Sequence, residues 1–223
     1  MISVIIPTYN EESRIKKTLD CLSGILDTEI IVVDGASSDN TYEIARTHSA
    51  KAICSQRGRA CQMNKGAQEA KGDILLFLHA DANLEEGSLE EVGDCIKKGF
   101  LGGCFVQKIK SSKLIYRFIE KSGNIRAKCS KIFYGDQAIF VKKKVFYEIG
   151  GFDNVDLFED VLFSRKLRKM GKVYISDKKV FTSPRRWERE GVIKTTIIHW
   201  LLSLGFMLGF HPDRLRRLYR DVR

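Results

Sequence analysis

The sequence contains no Cys-x-x-Cys motif, although six of its 223 residues are cysteine. The cysteines are scattered singly along the chain, a pattern typical of neither a disulfide framework nor a zinc site. We expect them to be small buried hydrophobic side chains in a reducing compartment. No basic segment followed by an apolar core precedes the first predicted strand, so no secretory signal peptide is predicted and we expect a cytoplasmic protein.

Acidic side chains are scarce in the last quarter of the chain. Residues 165–223 carry 16 basic and 5 acidic side chains, whereas residues 1–164 carry 22 basic and 23 acidic ones. The net charge of +10 therefore comes from the C-terminal quarter. No recognised nucleic-acid-binding motif accompanies this charge, so we expect no nucleic-acid partner. Anionic lipid or a pyrophosphate-bearing substrate explains the charge better.

No hydrophobic run is long enough to predict a membrane-spanning helix. The segment Thr195–Phe210 has 16 residues without a formal charge if His199 is neutral. As a helix it would measure about 24 Å, less than the bilayer core of about 30 Å. An arginine-rich amphipathic helix is predicted to begin at Pro212. We therefore separate a domain at 1–191 from a basic helical tail at 192–223, and expect the tail to lie on an anionic membrane surface or to pack on protein.

Short apolar segments of strand length alternate with helical segments in the first half of the chain. This alternation predicts parallel βαβ units and an α/β fold, in which ligands bind where the strands end. Strands are predicted at Ile2–Ile6, Glu29–Val33, Ala50–Cys54, Ile74–Leu78 and 100–109, and the segment Gly135–Val141 is predicted to be a polar turn followed by a strand. Helices are predicted at Glu11–Leu22, Asn40–Thr47, Gly58–Ala70, Glu85–Lys97, Lys113–Lys128 and Phe158–Met170.

Three of the predicted strands end in polar residues. Asp81 follows the fourth apolar run, Asp34 follows the second, and the first strand breaks into a polar loop at Pro7. A carboxylate at the end of a buried strand is costly unless a donor, a ligand or a metal ion pairs with it. Alternatively, Asp81 caps a helix from Leu84 and Asp34 caps the helix after it.

Six short motifs occur in order between residues 1 and 190. They are Pro7-Thr8-Tyr9-Asn10-Glu11, Val33-Asp34-Gly35-Ala36-Ser37-Ser38-Asp39, Gly58-Arg59-Ala60-Cys61-Gln62-Met63-Asn64-Lys65-Gly66, Leu78-His79-Ala80-Asp81, Phe158-Glu159-Asp160 and Arg185-Arg186-Trp187. The ordered set resembles family 2 glycosyltransferases, which have the GT-A fold. One motif departs from the family, because His79-Ala80-Asp81 stands where the family has an Asp-x-Asp metal motif. The chain is also similar to a compact subgroup linked to arsenosugar biosynthesis.

The resemblance implies a mixed, mostly parallel sheet flanked by helices, with a nucleotide-binding half at 1–99 and an acceptor half at 100–191. It implies an inverting enzyme that moves a sugar from a nucleotide-diphosphate sugar to a hydroxyl acceptor. The implied cofactor is a divalent cation, Mn²⁺ or Mg²⁺, because such hard ions take carboxylate and phosphate oxygens. Neither the identity of the acceptor nor the oligomeric state follows from the resemblance.

The resemblance also implies roles for particular residues. Asp81 would bind the metal–diphosphate unit, and Asp160 would be the catalytic base, with Glu159 beside it. Asp34 would contact the nucleobase. His79 would contact the ribose or be a core histidine. The other implied substrate-binding residues are Pro7, Thr8, Tyr9, Glu11, Arg59, Asn64, Asp136, Arg186 and Trp187.

Plainer structural roles and two other functions remain open for these residues. Glu159 and Asp160 are also typical of a helix N-terminus, Asp136 of a turn, and Arg186 of a basic surface loop. A nucleotidyltransferase would need a glycine-rich phosphate loop after the first strand, and the motif that begins at Pro7 is not one. A protein that binds sugar nucleotides weakly at a membrane surface would keep the fold without the catalysis.

Overall fold

Eight strands form one mixed sheet in residues 1–48 and 51–216, the parts of the chain that the computed structural model describes. The strand order is β3-β2-β1-β4-β7-β6-β8-β5. β1 pairs in parallel with β2 and β4, β2 with β3, and β6 with β8, whereas β7 is antiparallel to both β4 and β6. The strands are β1 (Ile2–Thr8), β2 (Thr28–Asp34), β3 (Lys51–Cys54), β4 (Ile74–Phe77), β5 (Asn83–Leu84), β6 (Gly102–Ile109), β7 (Ile139–Lys142) and β8 (Val173–Thr182). The mixed, mostly parallel sheet predicted from the sequence is thus confirmed.

Helices cover both faces of the sheet. They are α1 (Glu12–Leu22), α2 (Thr41–Thr47), α3 (Arg59–Glu69), α4 (Ser88–Lys97), α5 (Leu114–Ser130), α6 (Lys143–Glu148), α7 (Glu159–Met170), α8 (Arg185–Glu190), α9 (Val192–Met207) and α10 (Pro212–Arg216), with a 3₁₀ turn at Gly135–Gln137. The predicted strands and helices are confirmed with small shifts at their ends, except that Ala50 lies outside the described residues. The rest of the predicted C-terminal helix, residues 217–223, also lies outside them.

Two hydrophobic clusters form the core, one on each face of the sheet. Along β1, Val4 and Ile6 join one cluster and Ile5 joins the other, because successive side chains of a strand point to opposite faces. Because β2 and β4 pair in parallel with β1, their carboxyl ends lie on the same side of the sheet as that of β1. The expected burial of the cysteines holds for Cys95 and Cys104 but is wrong for three others. The exposed cysteines are Cys21, Cys54 and Cys129.

α9 packs on the domain with one face and leaves the other face open. Leu202 and Phe206 are buried in a cluster with Val161 of α7, and the Phe206 ring stacks on Phe158 at 4.5 Å between centroids. Large apolar side chains on the opposite face are exposed. Across the described ranges, no helix combines the length and the hydropathy needed to cross a bilayer.

Candidate active site

A cavity of about 250 Å³ opens beside the carboxyl ends of β1 and β4. Its wall combines residues from the first strand, α7, α8 and α9, so the fold brings together side chains that are distant in the chain. The predicted site residues that line it are Pro7, Glu11, Arg59, His79, Asp81, Asp136, Glu159, Asp160, Arg186 and Trp187. The other four predicted residues, Thr8, Tyr9, Asp34 and Asn64, are not part of this wall.

Asp160 lies in the first turn of α7, and its carboxylate faces the cavity. It accepts hydrogen bonds from the backbone N–H groups of Gly135, at 2.5 Å, and Val161, at 2.6 Å. Through the second bond Asp160 also satisfies one N–H group in the first turn of its own helix, although the N-cap position of α7 is Phe158. Burial raises the pKa of Asp160, although the Gly135 N–H and the charge of Arg59 oppose the shift. A raised pKa makes this carboxylate a stronger base, which suits proton removal near neutral pH.

Gly135 allows two of the predicted site residues, His79 and Asp160, to lie close together. A Cβ atom at this position would lie 3.0 Å from Nε2 of His79 and 3.3 Å from Oδ2 of Asp160. Any larger residue would therefore displace one of these side chains. His79 is half-buried in the cavity wall, a position that suits either of its two predicted roles.

Glu159 and Asp136 flank the predicted base. Glu159 is buried, with Oε1 lying 3.8 Å from Nη1 of Arg59. Asp136 lies in the 3₁₀ turn, and its Oδ2 accepts a hydrogen bond of 2.7 Å from Nε2 of Gln107. Burial raises the pKa of Asp136; Arg126 opposes this shift, and the nearby Asp160 carboxylate adds to it. The cavity therefore holds two close carboxyl groups that bind a proton more readily than free ones.

Asp81 is held by an arginine. Its Oδ2 lies 3.2 Å from Nε of Arg185, which also donates to both carboxylate oxygens of Glu11, at 2.7 and 2.5 Å. Burial lowers the pKa of Arg185, but the Glu11 hydrogen bonds and the Asp81 charge outweigh it, so the pKa lies above its ordinary value. The capping alternative for Asp81 is wrong, because the next helix begins only at Ser88.

The donor set around Asp81 fits a hard divalent cation. No group of three or more acidic, histidine or cysteine side chains within 1–48 and 51–216 is arranged to hold a metal ion alone. However, Glu11 and Asp81 converge on one cation, the Arg185 guanidinium. Two carboxylates at one cation position suit Mg²⁺ or Mn²⁺ if a diphosphate supplies further oxygens.

Asp34 is buried below a loop next to the cavity. It accepts the backbone N–H of Ser37 at 2.8 Å, the Ser37 hydroxyl at 2.5 Å and the Thr8 hydroxyl at 3.2 Å. The alternative role as a cap for α2 is wrong, because Asp39 accepts the first N–H of that helix, from Thr41, at 3.0 Å. Asp34 therefore links the ends of β1 and β2.

Tyr9 and Asn64 also have partners within the protein. The Arg57 guanidinium lies 3.9 Å above the centre of the Tyr9 ring. The side-chain amide of Asn64 bonds both backbone groups of Phe152, at 2.9 and 3.0 Å. Asn64 thus fixes the turn after α6, and neither residue reaches the cavity wall.

The Arg-Arg-Trp motif forms the helix α8, and the alternative of a basic surface loop is wrong. Trp187 is buried, with its ring centre 5.9 Å from that of Tyr116 and 6.1 Å from that of His199. Arg186 pairs with Glu190 at 3.4 Å. Sequence reasoning missed Gln107, His199 and Ser203 in the cavity wall. A polar stripe on an otherwise apolar helix was the available signal for His199 and Ser203.

The profile of Glycosyl transferase family 2 matches residues 3–152. The chain therefore belongs to glycosyltransferase family 2, and its fold is that of a GT-A glycosyltransferase domain. It is 27% identical over its whole length to poly-beta-1,6-N-acetyl-D-glucosamine synthase of Staphylococcus epidermidis, of which it covers 57%. It is 31% identical to dolichol-phosphate mannosyltransferase of Pyrococcus furiosus over 44% of this chain and 30% of that protein. The chain thus spans 57% of the length of the first relative and 30% of the length of the second.

Solved structures share the fold. The S. aureus protein TarS 1-349, in complex with UDP-GlcNAc, matches 82% of this chain and 58% of its own with a TM-score of 0.65 and 18% identity. The mannosyltransferase PcManGT of Pyrobaculum calidifontis, in complex with GDP-Man and Mn²⁺, matches 81% of this chain and 56% of its own with a TM-score of 0.64 and 24% identity. At these identities the likeness establishes the fold.

Proposed function

We propose that this chain is a metal-dependent, inverting glycosyltransferase that moves a sugar from a nucleotide-diphosphate sugar to a hydroxyl acceptor. One observation carries the proposal: a single cavity holds a carboxylate with a raised pKa, Asp160, and the converging carboxylates Glu11 and Asp81. A base and a cation position on one wall are what such a transfer needs. The UDP-GlcNAc and GDP-Man complexes of the two structural neighbours support a nucleotide-sugar donor, and the Mn²⁺ of the second supports a divalent cation.

In the proposed reaction, Asp160 takes the proton of the acceptor hydroxyl while that oxygen bonds to the anomeric carbon of the donor sugar. The bond from this carbon to the diphosphate oxygen breaks in the same displacement, which inverts the anomeric centre. Asp81 and Glu11 would hold the divalent cation, which when bound neutralises charge on the departing diphosphate. Arg59, in the first turn of α3, lies close enough to influence the charge on Asp160 and can also bind phosphate oxygens.

Donor turnover with and without metal tests the proposal. Sugar nucleotides that raise the thermal midpoint in the presence of Mn²⁺ would first be selected, then incubated with the protein. Release of nucleoside diphosphate only with Mn²⁺ or Mg²⁺ is the expected result. Pyrophosphate released from a nucleoside triphosphate and a sugar phosphate would instead identify a nucleotidyltransferase. Binding without any turnover would identify a sugar-nucleotide-binding protein.

We further propose that the enzyme acts in the cytoplasm, attached peripherally to the inner face of the membrane through the segment from Val192 onward. The open apolar face of α9 supports this location, as does the basic excess of the last quarter of the chain. Such a surface suits the interface of an anionic bilayer. A protein that stays unbound with anionic vesicles would contradict this attachment.

A further inference from the structure

Arg185 joins two distant parts of the chain at the predicted metal position. It lies at the start of α8, 174 residues after Glu11, and makes a two-pronged bond to the Glu11 carboxylate. Its Nε contacts Asp81 at 3.2 Å. The side chains are largely shielded from water, with 21% of Arg185, 4% of Glu11 and 14% of Asp81 exposed. Two shielded carboxylates at one point need a positive charge between them.

We propose that Arg185 and the divalent cation are alternative occupants of the Glu11–Asp81 carboxylate pair. This inference rests on the proposed function, in which Asp81 binds the metal–diphosphate unit. In the resting protein the guanidinium compensates the two carboxylates. When the donor binds together with a divalent cation, Glu11 and Asp81 would hold that cation, and Arg185 would leave the pair. The protein then never carries two shielded carboxylates without a cation, and it binds metal weakly until a diphosphate is present.

The fold allows the arginine to leave while its helix stays in place. Trp187, two residues later, is buried against Tyr116 and fixes α8 on the domain. The exchange is therefore a rotation of the Arg185 side chain. Because Arg185 itself lines the cavity, its guanidinium remains beside the donor after release. The planar guanidinium presents several N–H donors, which suit phosphate oxygens. Beside the donor, Arg185 would then bind the diphosphate.

Metal binding without donor tests the exchange directly. Mn²⁺ is titrated into the full-length protein, and free Mn²⁺ is followed by electron paramagnetic resonance. Arg185→Ala should bind Mn²⁺ about 10- to 100-fold more tightly than the wild type, the range carried by charge-assisted hydrogen bonds. Arg185→Lys, which keeps the charge but not the fork, should fall between them. Arg189→Ala is the matched control, because it removes one positive charge from an exposed position on the same helix and should leave affinity unchanged.

The thermal midpoint with and without Mn²⁺ is a second measurement, which tests the inference even if Arg185→Ala is less stable. The variant leaves Glu11 buried with only Arg14, whose Nη1 lies 3.7 Å from Oε2 of Glu11, so its thermal midpoint should fall without metal and recover with Mn²⁺ more than that of the wild type. A purely structural arginine would lower the midpoint equally with and without Mn²⁺. Unchanged or weaker Mn²⁺ affinity in both Arg185→Ala and Arg185→Lys would overturn the inference, even if the wild type turns over donor. Tighter binding in a protein without transferase activity would overturn the proposed function alone.

Discussion

Asp81 and Asp160 line the same cavity, but their partners differ. Asp81 faces a guanidinium at 3.2 Å, whereas Asp160 accepts two backbone N–H groups. A carboxylate beside a positive charge is well placed to hold another cation in exchange. At Asp160, desolvation raises the pKa more than the backbone N–H groups and the nearby Arg59 charge lower it, so the carboxylate stays basic. In the proposed reaction, the two environments would separate metal binding at Asp81 from proton transfer at Asp160.

Asp160→Asn should lower turnover by about 10²- to 10⁴-fold with little change in donor affinity, because only proton transfer is lost. In the wild type, kcat/KM should fall as the pH is lowered through the pKa of Asp160. Since burial raises that pKa, the acid limb should lie above the ordinary carboxyl value. Steady-state kinetics from acid to neutral pH measure both effects. If Glu159→Gln is the more damaging change, the assignment of the base is reversed.

Asp81→Ala should abolish metal-dependent donor binding and leave the fold intact. The variant removes one of the two carboxylates that converge on the cation position, while Arg185 keeps its bonds to Glu11. Isothermal titration calorimetry with the donor, with and without Mn²⁺, measures the loss, and circular dichroism checks the fold. An affinity for donor that still depends on Mn²⁺ in this variant would contradict the role of Asp81.

Sequence patterns located the helices and strands where local periodicity was clear. Apolar runs followed by aspartate located Asp34 at the end of β2 and Asp81 in the turn after β4, because such runs are characteristic of buried parallel strands. β8 was missed, since Asp177, Lys178 and Lys179 interrupt its apolar pattern.

The partners of the site residues could not be predicted in the same way. Nothing in the sequence around Arg185 indicates that its guanidinium reaches a glutamate 174 residues earlier. The contact depends on where β8 ends relative to β1, which is a property of the assembled sheet. Likewise, the Gln107 bond to Asp136 joins a strand to a turn 29 residues later. Local patterns thus supply candidate residues, and tertiary packing decides which of them meet.

At the level of the helix, His199 links α9 to the cavity and makes its packing sensitive to pH. Burial lowers the pKa of His199 to about 4, and the charges of Arg186 and Arg59 add to the shift. In the unfolded chain this imidazole takes up a proton near its ordinary pKa of 6.5. Between these values the unfolded state binds more protons, so the free energy of unfolding falls as the pH is lowered.

His199→Gln should therefore reduce the acid sensitivity of the fold. We expect the wild type to lose about 1–3 kcal/mol of unfolding free energy through this histidine between pH 6.5 and pH 4, a range reduced for the part of the ring that water reaches. Over the same pH range, the His199→Gln variant should lose about 1–3 kcal/mol less unfolding free energy than the wild type. Urea unfolding at several pH values measures the free energy of unfolding of both proteins. The contributions of the other titrating groups are the same in both and cancel in the difference. Identical pH dependence in both would mean that His199 is not held neutral.

At the scale of the whole molecule, an exposed apolar surface joins two helices, α5 and α9. The rings of Phe118 on α5 and Trp200 on α9 lie 6.4 Å apart, so the exposed rows of the two helices are continuous. Apolar surfaces of this kind mark interaction sites. Five of the six charged side chains in α5 and α9 are basic, and the acidic one, Glu120, is buried. The exposed apolar residues are Leu114, Ile115, Phe118, Ile125, Ile193, Ile197, Trp200, Leu201, Leu204, Met207, Leu208 and Phe210.

This combination of charge and hydropathy fits an anionic bilayer interface. The protein should float with anionic vesicles at low salt and bind neutral vesicles less. Each basic residue near anionic lipid contributes about 1 kcal/mol, and salt screens that attraction, so high salt should weaken binding. The double variant Trp200→Glu, Leu204→Glu should lose flotation, because both side chains lie on the open face of α9 and not in the core.

Leu26→Glu is the matched control for the flotation assay. Leu26 is 91% exposed, but it lies near the opposite, amino-terminal end of the strands. This variant should float like the wild type, since its charge is added away from the proposed surface. The alternative occupant of the surface is a second copy of the chain. An unbound protein that elutes as a dimer, and as a monomer once Trp200 and Leu204 are replaced, would show that the apolar rows form a subunit interface. In that case the acceptor need not be carried by a lipid.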